Sequence, residues 1–300
     1  MRDLAIPGGL EARVATAADV EAITGLIAAC ERADDGAVEI DASDVAQFLA
    51  STTDPMDALV VVGTGCVVAW GALNSGRAYV DVHPDRRARG IGLALLRWSE
   101  ERARLHGRGR IHQTVTDNDR AAASLFREHG YAVADTAWIL EIELGGEPPT
   151  VAAPESIVIR PYRGADERAI HRLIDDAFSE WPGRDPLAYA EWAALVTRHG
   201  AFAPDLSRVA SDGEELVGAA LAFDYAAADD GWVQQLATKA THRHRGIARA
   251  LIGSVFVAFH ERGRRMVGLS TDSRTGALTL YERLGMRIRR SYTGWAKDLT

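Results

Sequence analysis

Residues Arg243-His244-Arg245-Gly246-Ile247-Ala248 follow the strand-like run Trp232 to Thr238 and open a helical pattern carrying Ala250, Leu251, Ile252, Val255 and Phe256. A basic glycine turn between a strand and a helix suits an anion. The first turn of a helix has free backbone N–H groups and the positive end of the helix dipole, so several amides can converge on a phosphate. Gly246 and Ala248 keep side-chain bulk out of the approach, and Arg243 and Arg245 add charge-assisted donors suited to diphosphate oxygens. On these residues alone a basic connection without a ligand stays open as the other reading.

The turn has a duplicate. Ala78 to Val82 reads as a strand, runs into Arg87-Ala88-Arg89-Gly90-Ile91-Gly92, and is followed by a helical pattern with Leu93, Leu95, Leu96 and Trp98. Arg87 and Gly90 thus stand where Arg243 and Gly246 stand later. Upstream, Arg13, Ala18, Asp19, Ala22, Ile23, Leu26 and Ile27 find identical partners, in the same spacing, in Arg160, Ala165, Asp166, Ala169, Ile170, Leu173 and Ile174. Downstream, Leu125 and Gly130 match Leu280 and Gly285. Two copies of one unit follow from the chain itself. The Gly/Pro-rich stretch Gly145 to Pro154 reads as a linker. The expected division is therefore residues 1–145, a linker at 146–155, and residues 156–300.

Length and composition agree with that division. Three hundred residues suit two ordinary domains, and 47% hydrophobic with 25% charged residues is enough to form two cores. The net charge of −8 argues against nucleic acid as a partner. No apolar run approaches the roughly 20 residues that span a bilayer, and the start of the chain lacks the apolar region of a signal peptide. No membrane partner and a cytoplasmic location are the expectation. Cys30 and Cys66 form neither a disulfide framework nor a metal-ligand cluster, so no metal is expected.

The spacing Arg243-x-x-Gly246-x-Ala248 after a strand resembles the acyl-CoA pyrophosphate loop of the general-control-related N-acetyltransferase (GNAT) superfamily. Each half also reads strand, helix, helix, three strands, helix, strand, helix and closing strands, the order of that fold. The resemblance covers nearly the whole chain twice. It implies an α/β (α+β) protein of two tandem domains, each a mixed, largely antiparallel twisted sheet flanked by helices. It also implies acetyl-CoA as cofactor, transferring its acetyl group to a small-molecule amine by direct attack on the thioester. A non-catalytic acyl-CoA-binding or sensing protein and a protein N-acetyltransferase are the alternatives. Tandem domains can pair within one chain, so a monomer or a homodimer is expected.

The resemblance also distributes roles. Near the end of the second copy, Leu280-Tyr281 and Gly285-Met286 match a family pattern whose tyrosine commonly protonates the departing CoA thiolate. In the first copy Phe126 falls at that position, without the hydroxyl. The second half is therefore expected to be catalytic through Tyr281, and the first to be a degenerate copy. The pantetheine arm implicates Leu236, Ala237 and Thr238 by position, the diphosphate Arg243, His244, Arg245, Gly246, Ile247 and Ala248, and Ser273 stands near the family's asparagine position. In the first copy the corresponding cofactor residues are Val82, Arg87, Arg89, Gly90, Ile91 and Gly92. Where many relatives carry a glutamate, this chain has Gln234 and Gln235, which cannot accept a proton near neutral pH. Asp224 is the candidate base, acting through water, with Glu180 beside it. The expected acceptor groove draws on Glu180, Trp181 and Tyr225, with Trp192, Asp229 and Asp230 as further candidates.

Overall fold

The computed structural model describes residues 4, 6–146, 148–180 and 186–299. Along the chain the strands are β1 (Glu11–Val14), β2 (Ala58–Gly63), β3 (Cys66–Asn74), β4 (Arg77–Val82), β5 (Arg110–Thr116), β6 (Ala132–Glu143), β7 (Ile157–Pro161), β8 (Arg208–Asp212), β9 (Glu215–Tyr225), β10 (Asp230–Thr238), β11 (Met266–Asp272) and β12 (Arg287–Asp298). The helices are α1 (Val20–Asp35), α2 (Ala42–Ser51), α3 (Ile91–Leu105), α4 (Arg120–Glu128), α5 (Glu167–Phe178), α6 (Tyr189–Leu195), α7 (Ile247–Glu261) and α8 (Leu278–Glu282). Among the described residues no helix is long and apolar enough to cross a membrane.

The chain forms two compact units, one of residues 1–136 with 290–300 and the other of residues 137–289. The first unit contains β1 to β5 in sequence order and adds β12, whose Tyr292–Asp298 pair antiparallel with Thr116–Arg110 of β5. The second contains β7 to β11 and adds β6, whose Ala137–Glu143 pair antiparallel with Asp272–Met266 of β11. Each closing strand therefore belongs to the unit built mainly from the other half of the chain, where a cut at residues 146–155 would have kept both at home. The reason is physical: an alternating apolar pattern specifies a strand and its faces but not the neighbour that supplies its hydrogen bonds.

Within each unit the pattern is the same. Four strands run antiparallel, the fifth joins the fourth in parallel, and the exchanged strand closes the edge antiparallel. The first helix of each unit is anchored by the repeated pair found in the sequence. Arg13 clasps Asp19 at 2.8 and 2.6 Å, and Arg160 clasps Asp166 at 2.7 and 2.8 Å. Each aspartate also accepts a backbone N–H at the helix entrance, from Thr16 and Arg163 respectively. The short turn before each helix is thus satisfied by one carboxylate.

In the second unit α7 is buried almost all round, with Leu251, Ile252, Val255, Phe256 and Phe259 fully covered. It packs on one face of the sheet with Val217, Val233 and Leu269. Ile170, Ile174 and Trp192, from α5 and α6, cover the other face with Val209, Leu221 and Ala237. These two layers hold β10 between them, and β10 carries the candidate site.

Candidate active site

The geometry of the site begins where β10 and β11 separate. They pair in parallel from Asp230↔Met266 to Val233↔Leu269 and no further. On its other side β10 stays paired with β9 to Thr238↔Gly218. Gln234 to Thr238 therefore have their β11 side free, and backbone groups on such an edge are donors and acceptors without ladder partners.

A cavity of about 810 Å³ occupies this fork. Its walls include Gln234, Gln235, Leu236, Ala237 and Thr238 of β10, the turn at Arg243, His244, Gly246, Ile247 and Ala248, Thr271 and Asp272 of β11, and Tyr281 of α8. His244 and Gly246 both have positive φ, 62° and 85°. Glycine adopts this without strain, and a Cβ at Gly246 would meet nothing within 4 Å, so backbone conformation and not crowding explains the residue. Ala250 N–H already bonds to Gly246 carbonyl, which closes the first turn of α7 at 3.0 Å. The N–H groups ahead of it belong to the unpaired first turn.

The arginines of the turn diverge. Arg243 lines the cavity, donating Nη1 to Glu180 at 2.6 Å and Nε to Thr238 carbonyl at 3.4 Å. Its guanidinium holds the Glu180 carboxyl below the ordinary carboxylate range. Arg245 turns outward to Ser156 Oγ at 3.0 Å and Asp212 at 3.3 Å. Thr238 Oγ1 is buried with no hydrogen-bond partner, a condition that costs about 1–3 kcal/mol unless another group satisfies it. An orphaned hydroxyl, a free strand edge and a basic turn with unpaired amides suit the polar arm and diphosphate of acetyl-CoA. The residues present fit that group.

Tyr281 sits in the cavity wall, only 6% exposed. Burial pushes its phenol up to about 12, although Thr271 partly offsets this by hydrogen bonding. A phenol with that pKa is protonated across the physiological range and is available as a proton donor. Thr271 in turn shares a 2.9 Å hydrogen bond with Thr275. In sequence Thr271 carries no signal of this role, because a threonine in a strand is ordinary.

Other expected residues are not brought to the cavity. Asp224 pairs with Arg264 Nε at 2.5 Å and Nη2 at 3.0 Å, and Tyr225 is exposed beside Phe223. Both stand at the C-terminal end of β9, and β9 runs antiparallel to β10, so Asp224 pairs with Gly231 at the start of β10. At about 3.3 Å per residue that is some 16 Å from Leu236. Asp229 and Asp230 share this far end. Ser273 lies exposed beyond β11, outside the lining. Glu180 does line the cavity, whereas Trp181 lies outside the described residues. The carboxylates among the described lining residues are Glu180 and Asp272, and each is engaged by an arginine, Asp272 by Arg274 at 2.6 Å.

The first unit repeats the frame with different contents. β4 and β5 pair only at Arg77↔His112 and Ala78↔Gln113 before separating. Ala88 and Gly90 have φ of 58° and 81°, matching His244 and Gly246. However, α1 has 16 residues and α5 only 12, and the extra turn carries Asp34 and Asp35. Asp34 binds Arg87 through both oxygens, and Asp35 accepts from Thr116 at 2.7 Å and Asn118 at 2.9 Å. Val82 carbonyl takes Arg87 Nε at 3.2 Å. Arg89 is exposed, Ile91 is buried in the core, and Gly92 packs near Leu125. Phe126 is buried against Tyr131 and Trp295.

Comparison with known proteins accords with both halves of this description. The acetyltransferase (GNAT) family matches residues 167–286, and an acetyltransferase (GNAT) domain matches residues 54–133. A mycothiol acetyltransferase from Nocardioides sp. is 28% identical over 211 residues, covering 67% of this chain and 68% of that protein. A GCN5-related N-acetyltransferase from Sphaerobacter thermophilus, known from its crystal structure, has a TM-score of 0.82 at 31% identity, over 98% of this chain and 97% of that one. A tandem GNAT protein from the clavulanic acid biosynthesis pathway shares the fold at 20% identity, with a TM-score of 0.72 over 97% of this chain and 99% of that one.

Proposed function

This chain belongs to the GNAT family of acetyltransferases, and from that premise we propose that its second unit transfers an acetyl group from acetyl-CoA to the amine of a small molecule. The observation that carries the proposal is Tyr281, a neutral phenol in the wall of the cavity at the fork of β10 and β11. Phe126, without a hydroxyl, occupies the matching place in the first unit.

Acetyl-CoA bound along the fork supplies an activated acyl carbon and a thiolate leaving group. The free edge of Gln234 to Thr238 would hold the pantetheine amides, and its N–H groups would polarise the thioester carbonyl. Arg243 and the first-turn amides of α7 hold the diphosphate. The amine nitrogen forms the new C–N bond as the C–S bond breaks. Tyr281 Oη gives its proton to the departing sulfur, and the proton released by the attacking amine returns to the phenolate through water. Gln234 and Gln235 take no part in that proton transfer, having no basic site at neutral pH. Glu180, whose carboxyl Arg243 holds below the ordinary range, is a poor base for it.

The test is release of CoA thiol by the purified protein against a broad panel of amines. Acetyl-CoA-dependent release with at least one small amine is the expected result. Binding of CoA without turnover of any amine overturns the reading. The first unit, on the same reading, supports the fold without performing the transfer.

A further inference from the structure

Gln235 owes its position to a defect in its strand. Val233 packs on the α7 face of the second unit's sheet and Trp232 on the α5/α6 face. Strict alternation would put Gln235 on the same side as Val233. The register between β10 and β9 shifts between Val233 and Gln235, and the extra residue, Gln234, turns the period over. Gln235 therefore faces α6, and Leu236 returns to the α7 side.

There it meets Trp192. The indole Nε1 donates to Gln235 Oε1 at 2.9 Å. Trp192 is 1% exposed and braced by the ring of His171 at 5.2 Å and that of Tyr189 at 6.3 Å. His171 is itself held by Leu187 carbonyl at 2.8 Å. An indole N–H can only donate, so it fixes which end of the amide is the oxygen. Gln235 also lines the cavity, and among the described residues its Nε2 makes no hydrogen bond. The result is an oriented amide donor in the cavity wall.

We propose that Gln235, with Trp192 as its positioning residue, selects acceptors that carry a hydrogen-bond-accepting oxygen beside the amine: a carbonyl, a carboxylate or a hydroxyl. The inference rests on acetyl transfer in this cavity. Gln235 Nε2 binds that oxygen, which aligns the neighbouring nitrogen with the thioester. An acceptor with a bare alkyl chain covers the amide N–H without pairing it, and a polar group left unpaired once the ligand is bound is what makes such sites discriminate.

The test compares matched amines of similar size, glycinamide, glycine, ethanolamine and propylamine, by kcat/KM. The expected result is about a tenfold preference for one or more of the three oxygen-bearing acceptors over propylamine, the size of a single hydrogen bond. The acceptor favoured most identifies the oxygen type. Gln235→Leu removes the preference, and Trp192→Phe, which keeps an aromatic ring but loses the N–H, narrows it. A merely structural role for either residue lowers kcat/KM for all four amines by one common factor, and that outcome overturns the proposal, as does a wild-type preference for propylamine. If the protein turns over none of these four, calorimetric titration of the same amines into wild type and Gln235→Leu reads the selectivity, and equal affinities for all four overturn the proposal, while the transfer reading is decided separately by the broad amine panel.

Discussion

Arg87 and Asp34 meet in a two-point ion pair, with Nη1 to Oδ1 at 2.6 Å and Nη2 to Oδ2 at 2.7 Å. Arg243, its counterpart in the second unit, reaches the more exposed Glu180 through one 2.6 Å contact. The first carboxylate stands to Arg87 as a diphosphate would, in the fork geometry that guanidinium groups favour. The second leaves Arg243 able to exchange partners.

The expected consequence is asymmetric CoA binding. Arg243→Ala should weaken CoA by about 10- to 100-fold, the range of one charged hydrogen-bond partner. Arg87→Ala should change it less than about twofold. Isothermal titration of each variant with CoA decides this, and equal losses would contradict it.

Tyr281→Phe keeps the ring in its buried place and removes the proton. Turnover should fall by about 10²- to 10⁴-fold, the range for a lost general acid, while the Kd for CoA holds. A parallel loss of both would assign Tyr281 to packing alone.

The pH profile should follow from the same residue. With the phenol pushed up to about 12, its proton is retained through the alkaline range, where an ordinary tyrosine would lose it near pH 10. kcat/KM should rise as the acceptor ammonium loses its proton and then stay level to at least about pH 10.5. A descending limb centred near pH 10 in stopped-flow thiol release would be inconsistent with this environment.

Acid should loosen the first unit at Asp19. Arg13 holds this carboxyl down at about 2, so the pair's contribution is fully present above about pH 4, where the unfolded carboxyl is also ionised, and is lost as pH falls toward 2. The shift corresponds to about 2 kcal/mol. Asp19→Asn should cost roughly that at pH 7 and flatten the acid limb of urea midpoints measured between pH 2 and 6.

Much of this architecture could be read before any coordinates. The matched spacing of Arg13 with Asp19 and of Arg160 with Asp166 is now visible as two copies of one bidentate anchor, and the two glycine turns share their positive-φ geometry. Local chemistry of this kind is encoded locally. Asp224 and Tyr225 misled because a sequence does not say which end of one strand lies beside which end of the next; antiparallel pairing carried them to the start of β10. The sequence excludes Gln235 as a base but does not show it as a donor, since its facing depends on a one-residue bulge, and Asp34 meets Arg87 only because α1 runs a turn longer than α5.

The exchanged strands bear on how the gene can be handled. A fragment of residues 156–300 carries Tyr281 and the whole glycine turn, yet it leaves behind Ala137–Glu143, the strand that covers β11. A fragment of residues 1–145 lacks Tyr292–Asp298 in the same way. Each would present a raw sheet edge to its neighbours in solution. The duplication is locked in at the level of topology: neither half of the chain can be excised with its sheet complete, because each carries the strand that hems the other.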